Sequence, residues 1–192
     1  MSSRRLTALA VFSLVLSFRG HSAGAQTLAG WEHYRPGTIA AVIEEQSSSI
    51  RADTVHVPGY VMSGKRFPTL TRVTYCGDSR PIEKVRRGVL RWWGLTFHRD
   101  TSIVLDFRRE YLFKEGNQLL WLAVQDTVAS FFPRELQPGH QVSLYVSWAG
   151  AYHAGGKDIT WAFLVNEFQA GGAGPKCESP VARARAGASP TD

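Results

Sequence analysis

The chain has 192 residues, with 22 Lys plus Arg against 16 Asp plus Glu and a formal net charge of +6 at neutral pH. Arg4, Arg5 and Arg19 fall in the first 25 residues, which hold no acid, so removing that segment lowers the charge from +6 to +3. A balance that slight speaks against a dedicated nucleic-acid binder, whose affinity rests on concentrated neutralisation of phosphates.

Residues 1–25 read as an export signal. Arg4 and Arg5 open it, LTALAVFSLVLSF (6–18) forms an apolar centre, and Ala23-Gly24-Ala25 places small residues where a signal peptidase cuts. The apolar run is shorter than the roughly 20 residues that span a bilayer. Cleavage before Gln26, export to a periplasm or medium, and no stable transmembrane segment afterwards are the expectation. Cys76 and Cys177 are the two cysteines, and in an exported chain such a pair implies one disulfide. Closing a loop of roughly 100 residues is worth about 4.7 kcal/mol by chain entropy. No CxxC spacing points to a metal.

Further along, Thr38 can cap a short amphipathic helix over about 38 to 48, with Ile39, Val42, Ile43 and Gln46 at helical spacing and the serines 47–49 stopping it. DTVHV and YVMS flank Pro58-Gly59 and read as two short strands or one interrupted edge strand. LTRVTYC (70–76) alternates like a strand and GDSRP (77–81) like a turn. Residues 82–91 fit a helix and a continued strand equally, because Gly88 interrupts the stripe of Ile82, Val85, Val89 and Leu90. LTFH and SIVLDF read as strands around Arg99-Asp100-Thr101, and QLLWLAVQ (118–125) as a strand after the Gly116-Asn117 reversal. TVASFFPREL carries a short helical turn closed by Pro133. VSLYVSW (142–148) and ITWAFLV (159–165) alternate most regularly and predict an antiparallel hairpin joined by a flexible 149–158 connection.

The fold class that follows is mainly β: a small antiparallel β-barrel, OB-like or SH3-like, with a short N-terminal helix, and a two-sheet β-sandwich as the alternative. It forms a single domain over 26–168. Residues 169–192 carry no aromatic side chain and read as a flexible tail tethered at Cys177. The predicted core is Ile39, Val42, Val73, Val104, Leu120, Leu122, Val142, Leu144, Val146, Trp148, Ile159, Trp161, Phe163 and Val165.

No phosphate-binding loop, dinucleotide fingerprint, HExxH or GxSxG occurs, so no cofactor and no metal is expected. His98 with Asp100, and His153 with Asp158, are weak catalytic candidates, since a carboxylate beside an imidazole can orient it for proton transfer. If the fold gathers His98, Asp100 and His153, a metal site or small hydrolase is the alternative. Ser79 lacks a histidine partner that the sequence selects and reads as a turn residue. The densest surface candidate is RRGVLRWWGLTFHRD (86–100). Arg86, Arg87 and Arg91 would cluster on one side of a helix, whereas on a strand Arg86 would lie opposite the other two. Trp92 or Trp93 would offer a ring to a ligand whose anion the guanidiniums pair, or else be covered by the N-terminal helix or the tail with the arginines lying over apolar surface. The reading reached is a non-enzymatic exported binding or interaction module. Its partner is a protein, a polysaccharide or another anionic envelope component; a structural role in an extracellular assembly is the further alternative.

Overall fold

The computed structural model describes residues 31–53, 58–64, 67–155, 158–175 and 177. The export signal read at 1–25, residues 54–57 of the strand read at DTVHV and the segment past 177 lie outside the described residues, and Asp53, the first residue of that strand, instead ends a helix. Five strands close into a ring: β3 (Pro68–Pro81), β4 (Arg109–Glu115), β5 (Gln118–Val124), β7 (Ile159–Ala173) and β6 (His140–His153), which returns to β3. Two short strands extend it, β1 (Arg35–Pro36) parallel to β3 at Thr69 and Leu70, and β2 (Gly59–Val61) antiparallel to β6 at Ala151 to His153. The ring excludes the sandwich.

The length of β3 makes closure possible. Its first half, Pro68 to Thr74, pairs with β6, and its second half, Thr74 to Pro81, pairs with β4. Between Tyr75 and Ser79 the register slips against β4, and β6–β7 slips three times. Such bulges bend and twist long strands enough to curl a sheet on itself. The barrel is mixed rather than wholly antiparallel, because β5 meets β7 in parallel at Ala123 and Val124. The predicted β6–β7 hairpin is present, but β6 runs on to His153, so only 154–158 connects it to β7. At the other end, β7 continues to Ala173, through the first residues read as tail, and Cys177 is joined to Cys76.

Two apolar clusters lie on opposite sides of the barrel wall. The inner one holds Val73, Phe113, Leu122, Val142, Leu144, Val146, Phe163 and Val165. The helix α1 (Ile39–Asp53) adds Ile39, Val42 and Ile50 to it, and the short helix α4 (Phe132–Glu135), which follows α3 (Asp126–Ala129), adds Phe132. Pro133 therefore sits in the first turn of α4 and opens that helix instead of closing one. Of the predicted core, Leu120, Ile159 and Trp161 are only partly buried.

Outside the wall, Ile82 and the side chains Val89 and Leu90 of helix α2 (Lys84–His98) pack with Val104 and Phe107 on Ala123, Ala149, Ala162 and Leu164. The alanines leave room for the helix to approach. A lone 15-residue helix containing glycine is marginal in water. Burial of Val89 and Leu90, about 1.5–3 kcal/mol each, favours the helix over the continued strand. LTFH is the last turn of this helix, and Ser102–Asp106 is a 3-10 turn; neither is the strand that its apolar content implied.

Two buried carboxylates, Glu110 and Glu115, tie these layers together. On β4, Glu115 accepts hydrogen bonds from the backbone N–H groups of Ile39 and Ala40, both at 2.9 Å, and from the Thr71 hydroxyl at 2.5 Å. A carboxylate at that place satisfies donors that the first helical turn leaves open and complements the helix dipole. Thr38 caps as predicted, its hydroxyl accepting from Ala41 N–H at 3.1 Å. The serines do not stop α1, which runs to Asp53; Ser48 bonds back to the Glu44 carbonyl and Ile50 extends the buried stripe.

A candidate anion-binding cleft beside α2

Helical geometry separates Arg86 from the other arginines of α2: the 100° step turns it away from Arg87, whereas Arg87 and Arg91, four residues apart, share a face. Arg86 faces the barrel. Its guanidinium donates to Glu110 and, through Nε at 2.9 Å, to the Trp161 carbonyl oxygen. Only 12% of its side chain is exposed, and Glu110 is wholly buried. Arg80 donates to the other oxygen of Glu110 while its guanidinium lies 4.1 Å from the centre of the Trp121 ring. This is a buried charge cluster that holds α2 to the wall. Arg86 is thus withdrawn from the ligand face on which the sequence reading put it.

Arg87 and Arg91 are one turn apart, exposed, and in no ion pair among the described residues. They line one side of a cleft of about 490 Å³. Its other side comes from Asp100, Thr101, Ser102 and Leu105 in and beside the 3-10 turn, and Val104, Phe107 and Arg108 complete it. Beside the cleft α2 and the turn come close at Gly94, where an added Cβ would stand 2.8 Å from the Asp100 carbonyl oxygen and 3.2 Å from Ile103. Arg99 terminates the helix in the left-handed conformation, φ 53°, with its N–H donating to the Gly94 carbonyl.

Asp100, one of the weak catalytic candidates, is spent on this turn. It accepts from the Ser102 N–H at 2.7 Å and the Ser102 hydroxyl at 2.6 Å. Those bonds, with a smaller contribution from His98, hold its carboxyl below the ordinary value. Arg108 reaches Asp126 with its guanidinium and its backbone N–H, so it adds less free positive charge than Arg87 or Arg91.

The two tryptophans divide as well. Trp92 is exposed and stacks on Tyr60 of β2 at 6.3 Å and 23°, and Tyr60 in turn meets Tyr152 at 5.2 Å. Trp93 is half-buried against the outer cluster, its ring 4.6 Å from that of His98. His153 is buried near the end of β6, and exposed Asp158 follows the connection, where its backbone carbonyl accepts from Ala154 N–H at 3.4 Å. No hydrogen bond joins an imidazole to a carboxylate within the quartet His98, Asp100, His153 and Asp158. Among the described residues, no group of three or more His, Cys, Asp or Glu is placed to hold a metal. Ser79 accepts from Arg109 at 2.9 Å.

A second cavity of about 300 Å³ lies among Tyr75, Tyr111, Phe132, Pro133 and Leu136. Burial is the main reason that both tyrosines hold their protons to higher pH than usual. Tyr111 and Asp78 add to the effect at Tyr75; at Tyr111 the pull of Arg109 opposes it and Asp126 supports it.

Fold and cleft together define a mixed five-stranded β-barrel with a basic helix and a 3-10 turn laid on its outer wall. Comparison with protein-family models, curated proteins and solved structures finds no match to the chain. Leu105, Ser102 and Arg108 are the site residues that sequence reasoning missed. The signal for them was Asp100-Thr101-Ser102, a capping pattern ahead of a helical turn, in a segment whose aliphatic run read as strand.

Proposed function

We propose that the protein is a non-enzymatic exported binding module, built on an OB-like barrel, that holds an anionic component of its surroundings in the cleft beside α2. The observation that carries the reading is the pair Arg87 and Arg91, in no ion pair among the described residues, lining one cleft with Leu105 and Phe107, while the Asp100 carboxylate in that lining is engaged by Ser102. Guanidiniums so placed offer several donors to a phosphate, sulfate or carboxylate, and the apolar wall accepts the adjoining hydrocarbon.

Topology supports the choice of face. Counted round the ring, the strands run first, second, third, fifth, fourth, with α3 and α4 between the third and fourth. That order is OB-like, and OB barrels bind through the connections after their first and fourth strands. Here the first of those connections is residues 82–108, which build the cleft. Export is supported by the basic, apolar and small-residue pattern of the N-terminus and by the Cys76–Cys177 disulfide, a bond that persists in oxidising compartments.

The test is a backbone amide titration of the oxidised protein with pyrophosphate and, separately, with a short sulfated oligosaccharide. Saturable shifts at residues 87, 91 and 101–105, abolished by the double variant Arg87→Ala/Arg91→Ala, are expected. Absence of saturable shifts with both anions sinks the reading.

A further inference from the structure

We propose that the face carrying this cleft docks on an anionic lipid bilayer, with Arg87 and Arg91 taking headgroup phosphates while Trp92, Leu95 and Leu105 enter the interfacial layer. The proposal rests on the anion-binding reading of the cleft and names the source of the anion. Four large apolar side chains stand open on this side of the molecule: Tyr60 is 45% exposed, Trp92 48%, Leu95 50% and Leu105 72%. They flank the two free arginines. Trp92 and Leu95 lie on the outer side of α2, Leu105 stands across the cleft, and Tyr60 reaches over the helix from β2 to stack on Trp92. Gly88 provides the seat for that ring; a Cβ there would fall 2.4 Å from the tyrosine hydroxyl.

Charge selects the occupant. Within its 15 residues, α2 carries Lys84, Arg86, Arg87 and Arg91 and no acid. Of these Arg86 is paired, with Glu110, which Arg80 shares, and with Glu83 just before the helix at 3.6 Å, while Arg87 and Arg91 are in no ion pair among the described residues. The nearby acids Asp100 and Asp106 lie on the turn, and Asp100 is engaged with Ser102. What faces outward is cationic and aromatic, with aliphatic side chains between the charges. That mixture matches the boundary between phosphate headgroups and acyl chains, where tryptophan and tyrosine concentrate and each cation adds to the attraction. The inner side of α2 is fixed to the barrel by Val89, Leu90 and the Arg86–Glu110 pair, so the outer side is presented as a preformed surface. An exposed apolar strip of this kind marks an interaction site. Among the described residues no helix is long and apolar enough to cross a membrane.

The experiment uses the oxidised protein purified after export from an expressing host. Its sedimentation is compared with vesicles of phosphatidylcholine and with vesicles containing equal parts of phosphatidylcholine and phosphatidylglycerol, alongside the pyrophosphate titration. Sedimentation with the anionic vesicles alone is expected, with a blue shift of tryptophan emission that Trp92→Phe diminishes. Arg87→Ala/Arg91→Ala should weaken partitioning roughly thirtyfold. Leu105→Ser, at the most exposed of these positions, and Trp92→Ser/Leu95→Ser should weaken it while far-UV and near-UV dichroism stay unchanged. If Trp92→Ser/Leu95→Ser disturbs the dichroism, Leu105→Ser alone decides. Pyrophosphate binding without vesicle binding overturns the bilayer proposal and leaves the cleft reading standing. Silence with both overturns both. Vesicle binding that depends on the arginines but not on the apolar side chains overturns the docking, since it would be adsorption by charge alone.

Discussion

Arg86 and Arg87 are adjacent in the chain and do opposite work, and this difference is measurable. Replacing Arg86 with Ala leaves the wholly buried Glu110 with Arg80 alone, itself 42% exposed in its side chain. Breaking a buried pair in this way destabilises by about 3 kcal/mol or more. Arg87→Ala and Arg91→Ala remove exposed charges and should stay within about 0.5 kcal/mol of the parent in urea unfolding. Equal costs at all three positions would mean that Arg86 is not the anchor. The sequence shows four arginines in fifteen residues but cannot rank them, because the partner that distinguishes Arg86 lies on another strand 24 residues later. Trp92 and Trp93 were legible as one exposed and one inward ring on a strand. The helix produces the same division for a different reason, the 100° step between neighbours.

Among the elements, strands that bury one face were the easiest to read, and those covered on both faces the hardest to interpret. VSLYVSW and ITWAFLV announced themselves by alternation, whereas the outward alanines at 123, 149 and 162, where α2 packs, looked like neutral spacing. The parallel β5–β7 junction involves two residue pairs far apart in sequence and left no local trace. The end of α2 was missed because LTFH, its last turn, reads as strand, and the β-branched and aliphatic residues in SIVLDF satisfy a strand pattern as well as a 3-10 turn. Gly94 is the sharpest test of how α2 meets that turn. Gly94→Ala places a methyl 2.8 Å from the Asp100 carbonyl oxygen, so the turn must move. A loss of about 1–3 kcal/mol is expected from the overpacking, despite the better helix propensity of alanine. Amide shifts confined to residues 94–108 would place the disturbance at the cleft; shifts spread round the barrel would contradict it. At the other helix, Glu115→Ala removes the acceptor shared by Ile39, Ala40 and Thr71. About 2–3 kcal/mol should be lost, since buried donors are left unsatisfied, and hydrogen exchange should rise first at the start of α1.

For the molecule as a whole, closure by a distant covalent bond and by a buried aromatic cavity sets its response to solvent. The disulfide spans 101 residues, and its removal by Cys177→Ser should lower stability by about 2–5 kcal/mol in the oxidised protein. Alkaline pH should act through Tyr75 and Tyr111. Each has its folded pKa raised above the ordinary 10.0, Tyr75 first by burial and then by Tyr111 and Asp78. In the unfolded chain these phenols lose their protons near pH 10, while the folded chain still holds them. Above that pH the folded state therefore binds more protons than the unfolded one, and stability falls as pH rises. Below about pH 9 both states hold the protons and this term is flat. Tyr75 makes ring contacts with Phe113 at 5.7 Å and Phe132 at 5.4 Å, which Tyr75→Phe preserves. That variant should unfold in urea like the parent near neutrality and lose stability less steeply above pH 10. Both cysteines are in the disulfide, so thiolate exchange contributes nothing at the outset to the alkaline loss. Parallel slopes for parent and variant would remove Tyr75 from the account and leave Tyr111, where the Arg109 charge opposes the shift, as the group to replace next.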